Sequence, residues 1–557
     1  MGAKVKYPLQ LECLIAMSFE LRDRDLLGRI GRLNTKGGAV ETPAFMPVVN
    51  PVSQAIPPQR MREEFGCDIV ITNSYIIKKN FGDQLDIRVH DLIGFDGVVA
   101  TDSGAYQLLV YGDVETTPEE IIRFQQGIGS DIAVILDIPT GWKETRARVE
   151  WTVEETLRRA KAALPLIEGD ETLWVGPVQG GAHLDLVERS ARIVGQMPFQ
   201  IYALGSPTEV MENYRFPVLV DMIMAAKRNL PPDRPLHLFG AGHPIMFSLA
   251  VALGCDLFDS AAYALYAKAG RYLTPLGTMR LKDLSYLPCS CPVCSTHDAD
   301  ELRGMLKGER IRALTEHNLH VTMAEMRGVK QAIAEGTLWE LMEARSRGHP
   351  SLVSAMRRLK DYREDLERHN PAYKGRGVFF FDSVGLARPE VTRHARRLRD
   401  NYSPPAGSEI LLLATAPRWK PFSKSKENQL LSEALEEGLG GEAERVHVCF
   451  YSAPFGVVPV ELSETYPLSQ FETPEPLDRE SLEYAAEQAG AYIRETGYHH
   501  TVIHSGDDAL DALVRTRCGE VSKEMGKSLE IVSDPDPWGD AAIGRLVAAL
   551  KEGFKAR

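Results

Sequence analysis

The stretch Gly97-Val-Val-Ala-Thr-Asp-Ser-Gly-Ala-Tyr-Gln107 sets the pattern from which the fold is read. A short apolar run, Gly97 to Ala100, passes into small and polar residues, and a helix-like segment, Pro118 to Gln126, follows. The same order recurs along the first 270 residues. Further apolar runs lie at Asp68–Thr72, Ile132–Leu136, Leu173–Pro177, Phe199–Leu204, Pro235–Phe239 and Leu257–Phe258, with helical patterns such as Arg148–Ala162 and Pro244–Leu253 between them. Strand followed by helix, again and again, predicts a parallel sheet. Seven or eight such units predict an α/β protein built on a (β/α)₈ TIM-type barrel rather than an open doubly wound sheet. In such barrels chemistry sits at the carboxyl ends of the strands, so the polar residues that directly follow each apolar run are the ones to inspect.

Beyond the repeated units comes a cysteine cluster and then a long helical stretch from about Glu309 to Arg347. From Gly377 the texture changes. Val378–Phe381 reads as a strand, Pro404–Gly407 as a linker, and Glu409–Ala414 opens a second α/β pattern. That pattern continues through Val446–Tyr451, Ala485–Thr496 and His500–His504. The expected organisation is a catalytic barrel domain over residues 1–375, with a metal-binding subdomain at about 280–345, and a smaller α/β region over 376–557.

The chain has 557 residues, enough for more than one core, and 44% apolar with 25% charged residues is an ordinary globular composition. No apolar run reaches the roughly 18 residues of a membrane span, and Leu11–Phe19, interrupted by Glu12, makes a poor signal peptide. The expectation is a cytoplasmic protein without a membrane partner. The net charge of −13 argues against nucleic acid, which needs a basic footprint, but charge is unevenly spread. Between Arg345 and Lys426 there are 18 Lys or Arg against 8 Asp or Glu, a local excess of +10 that leaves −23 for the rest. This reads as a basic face on an acidic body, or else as a solvated helical surface.

Five of the eight cysteines, Cys13, Cys67, Cys255, Cys449 and Cys518, are scattered and form no disulfide framework. The others make Cys289-x-Cys291-x-x-Cys294, with His317 further on in a helical stretch. Three thiolates and an imidazole are the closed tetrahedral set of a structural zinc site, one Zn²⁺ per chain, whereas a catalytic zinc keeps one position open for water. His297 and His320 are weaker candidates for the fourth ligand.

Three acids stand at strand ends: Asp102, Asp137 and Asp259. Asp102 alone reads equally well as a helix N-cap. Together, three carboxylates at one barrel mouth suit a nucleophile, a general acid or base, and a recognition group. Gln179, in Val178-Gln-Gly-Gly181, offers both a donor and an acceptor, and the backbone at Gly205-Ser206 offers N–H groups to a ligand. A carboxylate is the natural complement of a guanine-type base, accepting from a ring N–H and the exocyclic amine.

These segments, with His237-Leu-Phe-Gly-Ala-Gly-His-Pro244, Leu257-Phe-Asp-Ser-Ala-Ala-Tyr-Ala-Leu-Tyr266 and the cysteine cluster, closely resemble the archaeal tRNA-guanine transglycosylases from about Arg22 to Gln331. The resemblance implies that Asp259 attacks the ribose anomeric carbon of tRNA, forming a covalent intermediate and expelling guanine. It makes Asp102 the general acid and base and Asp137 the acceptor of hydrogen bonds from the base. Gln179 and the backbone at Gly205 and Ser206 would contact the base carbonyl, and Tyr106 and Phe239 would stack against the ring. It further implies that the incoming base is 7-cyano-7-deazaguanine (preQ0), placed at position 15 of the tRNA D-loop in archaeosine synthesis, and that the enzyme is a homodimer. The flipped nucleotide must leave its stack, so RNA must also be held away from the barrel, a task suited to the basic stretch after Arg345 and the region 376–557. Ser206-Pro-Thr-Glu209 departs from the small apolar residues expected after Gly205, and no PUA-type module is legible at the carboxyl terminus.

Two rival readings remain. Archaeosine synthases resemble Pro417-Arg-Trp-Lys-Pro-Phe-Ser-Lys-Ser-Lys426, but Arg418 stands where their cysteine is expected. A non-catalytic tRNA-binding subunit is disfavoured by the three retained acids.

Overall fold

The computed structural model describes residues 18–83, 86–105 and 116–555. Tyr106, Gln107, Cys13 and nearly all of Leu11–Phe19 lie outside them. The chain divides into two compact units, residues 1–355 and 356–557.

The described part of the first unit begins with an antiparallel sheet, β1 (Phe19–Asp25), β2 (Gly28–Thr35) and β3 (Gly38–Thr42), which the sequence reading did not anticipate. Its alternating residues Phe19, Leu33 and Val40 share one core cluster with the barrel interior. The β2–β3 turn touches the start of the barrel strands: Lys36 Nζ donates to Thr172 Oγ1 at 2.9 Å. This small sheet thus covers the amino-terminal end of the barrel. Arg29 of β2 anchors it further through a buried two-bond ion pair with Asp256, 2.7 and 2.8 Å, which precedes the last barrel strand. Such a pair is costly to break, because one charge would be left buried alone.

Eight strands follow in chain order: β4 (Ala44–Val49), β5 (Ile69–Asn73), β6 (Val98–Asp102), β7 (Ile132–Val134), β8 (Leu173–Val178), β9 (Ile201–Leu204), β10 (Leu236–Leu238) and β11 (Leu257–Ser260). All pair in parallel, and β11 returns to β4 to close the barrel. The expected (β/α)₈ architecture is therefore present. The strand not singled out in the sequence is β4, whose Pro47 discourages a central-strand reading. In the barrel Pro47 sits opposite Ser260, the last residue of β11.

A hairpin, β12 (Arg271–Thr274) and β13 (Gly277–Arg280), leads to the cysteine segment and to a long helix, Lys307–Glu335. That helix ends at Gly336, whose φ of 73° gives the left-handed cap that favours glycine. A second helix, Leu338–Ser346, then begins, so the helical stretch expected over 309–347 is two helices.

In the second unit the two-residue strands β14 (Val378–Phe379) and β18 (Phe471–Glu472) pair in parallel. The main sheet comprises β15 (Ile410–Thr415), β16 (Val446–Ser452), β17 (Gly456–Pro459), β19 (His500–Ser505) and β20 (Ser528–Ser533). Its order is β17-β16-β15-β19-β20, parallel except at the β17 edge. Leu411 and Leu413 pack with helices Arg479–Glu495 and Ala509–Met525, while Ile410 and Leu412 pack with Lys426–Leu439 and Asp540–Lys555. This is a doubly wound open sheet with its own core. No helix among the described residues is long and apolar enough to cross a membrane.

Candidate active site

Parallel strands deliver their last residues to one mouth. Asp102 ends β6, Asp137 follows β7, Gln179 follows β8, Gly205 follows β9, Phe239 follows β10, and Asp259 is the next-to-last residue of β11. The expected catalytic and base-binding residues that are described therefore share the carboxyl-terminal end of the barrel; Tyr106 is outside the described residues.

The three acids have different surroundings. Asp102 accepts from Asn73 Nδ2 at 2.8 Å. Burial first, then the neighbouring charges of Asp137 and Asp259, push its carboxyl up to about 7, against the backbone N–H groups of Gly104 and Ser103. Asp137 is pushed up to about 6, again by burial, with Gln179 and Arg159 opposing. Asp259 is held by one oxygen only: Oδ1 accepts from the Gly240 backbone N–H and from His237 Nε2, both at 2.8 Å. Its Oδ2 has no hydrogen-bond partner among the described residues. A carboxyl that can carry a proton near neutral pH, beside another with an oriented, free oxygen, has the chemistry that an acid and a nucleophile need.

Gln179 joins the second acid to the strand-end loops. Its Nε2 donates to Asp137 Oδ2 at 2.6 Å, while its Oε1 accepts from Thr140 N–H at 3.1 Å and Ser206 Oγ at 3.0 Å. Gln179 thus provides to Asp137 the kind of N–H donor that a guanine-type base would present. Gly205 lets this side chain lie against the backbone, since a Cβ there would stand 2.2 Å from Gln179 Nε2. The Gly205 N–H itself bonds to Val178 O at 2.8 Å, so of the two backbone groups expected to face a ligand only Ser206, at φ 64°, keeps that role open. Half-buried Phe239 meets His237 edge-on, ring centroids 4.5 Å apart.

Sequence reasoning missed Asn73 and His237 as site residues. Asn73 directly follows the apolar run Asp68–Thr72 and so carried the strand-end signal. His237 lies inside a strand, and its orientation toward Asp259 shows only in the fold.

Away from the mouth, Cys289, Cys291, Cys294 and His317 place their ligand atoms within 4.8 Å of one another. Sulfur and nitrogen donors at about 2.0–2.3 Å from a tetrahedral ion would stand at comparable separations, so the set fits one metal ion. His317 Nε2 bonds to Leu273 O at 3.0 Å, which turns Nδ1 toward the thiols. Tyr272 stacks on the His317 ring at 3.6 Å and reaches Cys294 Sγ at 3.2 Å. His297 and His320 stand outside the set, His297 beside Glu301 and His320 against Phe65.

The profile of the family described as queuine tRNA-ribosyltransferase matches residues 24–351, and one described only as a domain of unknown function matches residues 391–550. The chain is 47% identical over 464 residues to a tRNA-guanine(15) transglycosylase of Aeropyrum pernix, covering 82% of this chain and 88% of that protein. It is 42% identical over 536 residues to one of Haloferax volcanii, covering 94% and 98%. A Methanosarcina acetivorans protein of the same name is 47% identical over 470 residues, covering 84% and 90%.

Proposed function

The chain belongs to the queuine tRNA-ribosyltransferase family, and we propose that it exchanges guanine at position 15 of tRNA for preQ0, through a covalent bond between Asp259 and the ribose. The observation that carries this reading is the pair of unlike carboxyls at the barrel mouth, Asp259 held through Oδ1 and Asp102 pushed up to about 7. Asp259 Oδ2 attacks the anomeric carbon on the face opposite the base. The glycosidic bond breaks toward the purine, and protonated Asp102 supplies the proton that guanine takes away. Asp102 then removes a proton from the incoming base, whose nitrogen displaces Asp259 and restores the carboxylate. One N-glycosidic bond replaces another, so no energy source is needed. Asp137 accepts from the base N–H groups in place of Gln179 Nε2, which frees the Gln179 amide to join the Ser206 N–H at the base carbonyl. Tyr106 and Phe239 stack against the ring.

In this reading the four-residue donor set holds structural Zn²⁺ through Cys289, Cys291, Cys294 and His317 and takes no part in the chemistry. The region 376–557 positions tRNA. Leu276, Met279, Tyr286 and Leu306, exposed around the hairpin and the cysteine segment, support a homodimer; light scattering of the purified protein checks it.

The function is tested with an unmodified tRNA transcript and radiolabelled guanine or preQ0. Label is expected at position 15 with wild type and none with Asp259→Asn. A folded, metal-loaded wild type that incorporates no label overturns the reading.

A further inference from the structure

The second unit carries a groove of about 860 Å³ whose lining includes eight Arg or Lys side chains and three Glu. Five of the cations, Arg357, Lys360, Arg363, Arg368 and Arg397, are exposed, and their side chains have no ion-pair or hydrogen-bond partner among the described residues. Like charges gathered on one concave wall repel one another and raise the local potential, so the arrangement favours an anion that bridges them. The wall is also rigid. Arg393 binds Glu367 Oε1 at 2.6 Å and the carbonyls of Glu367, Asn370 and Pro371 at 2.6 to 2.8 Å, and Arg396 binds the same carboxylate at 2.6 Å. Glu367 is thereby neutralised, which leaves Glu364 and Glu480 against the five free cations. A preorganised frame lowers the ordering cost of binding.

Resting on the reading of tRNA as substrate, we propose that this groove docks the tRNA phosphodiester backbone. Four of the five free cations are arginines, whose planar fork matches phosphate oxygens two bonds at a time. Among the lining residues Tyr484 is the single aromatic, so the wall offers charge to a backbone rather than a stacking platform to bases. A membrane surface is disfavoured by the concavity and by the lack of large exposed apolar side chains in the lining.

The full-length protein carrying Arg357→Gln, Arg363→Gln and Arg397→Gln together tests this, with an unmodified tRNA transcript bound at 50 to 200 mM salt. Each phosphate contact contributes roughly 0.7–0.9 to the slope of log K against log salt. The triple variant is expected to bind tRNA at least about 10-fold more weakly at low salt, with a slope shallower by about 2, and to keep kcat at saturating tRNA. Glu364→Gln with Glu480→Gln, which removes negative charge from the same wall, is expected to tighten binding about 2- to 5-fold; this arm stands even where the triple variant fails to fold. Unchanged affinity and slope in folded triple variant overturns the proposal, as does weaker tRNA binding by the double variant. So does a triple variant that loses polyglutamate binding while keeping tRNA. A wild type that binds tRNA in this groove-dependent way but exchanges no base leaves the groove standing and removes the reading of the barrel.

Discussion

Asp102 shows how a residue's task is set by what surrounds it. Its raised carboxyl carries a stability cost: ionisation in the fold is disfavoured, so the native state binds more protons than the unfolded chain between about pH 4 and pH 7. Stability contributed by this group is present below the unfolded value and lost as pH rises toward the folded one. Asp102→Asn, which cannot ionise, is therefore expected to unfold at higher denaturant than wild type at pH 8 by on the order of 2–4 kcal/mol, with the gap closing near pH 4. A gap that is constant with pH would show that the carboxyl titrates as it does in water. For Asp259, the proposed nucleophile, His237→Ala removes one of two donors on Oδ1 and is expected to lower kcat by about 10- to 100-fold. His237→Gln, which keeps an N–H, should recover part of that loss; equal losses in both would mean that His237 acts only by filling space. The acids themselves were legible in the sequence because each is polar at the end of an apolar run. His237 was not, because its meaning comes from a strand 22 residues away. Nor was the present engagement of Gln179 with Asp137, which arises from two loops separated by 42 residues.

Elements were legible where their periodicity was unmixed. Seven barrel strands stood out as apolar runs, and the eighth, β4, was hidden by Pro47. The β1–β3 sheet was hidden because most of β1 faces solvent, with burial only at Phe19 and Asp25. A single glycine, Gly336, divides a helical pattern whose apolar spacing runs on across it. The cysteine segment is the opposite case. Its helices Pro292–Thr296 and Ala299–Gly304 are too short to be stable by themselves, and its small core, Tyr272, Leu281, Val293, Leu302 and Leu314, is lined by the three thiols. A bound metal ion would then supply much of its folding energy, about 10 kcal/mol or more in small metal-dependent domains. Stripping metal with a chelator is expected to lower Tm by at least about 5 °C and to open residues 281–306 to protease, with one equivalent of Zn²⁺ restoring both. Cleavage that is unaffected by chelation would show that the segment holds itself together without metal.

At the scale of the whole molecule the charge distribution separates the two substrates. The chain carries −13 overall, yet +10 between Arg345 and Lys426 and −23 elsewhere. A polyanion is thus repelled by most of the protein and attracted by a limited part of it, and both effects are screened by salt. This asymmetry was legible from composition in sequence order. The grouping of the cations on one wall was not, because Arg357 to Arg368 and Arg393 to Arg399 come from separate helices that only the fold brings together. A neutral purine feels neither field, and on the proposed reading its binding rests on Asp137, Gln179 and Phe239 instead. In a double displacement the two substrates enter in separate half-reactions, so their KM values can be measured apart. Raising salt from 50 to 200 mM is expected to increase KM for tRNA by at least about 10-fold and to change KM for guanine by less than about 2-fold. Guanine and tRNA constants that rise together would mean that salt acts on the barrel mouth itself and not on the basic wall alone.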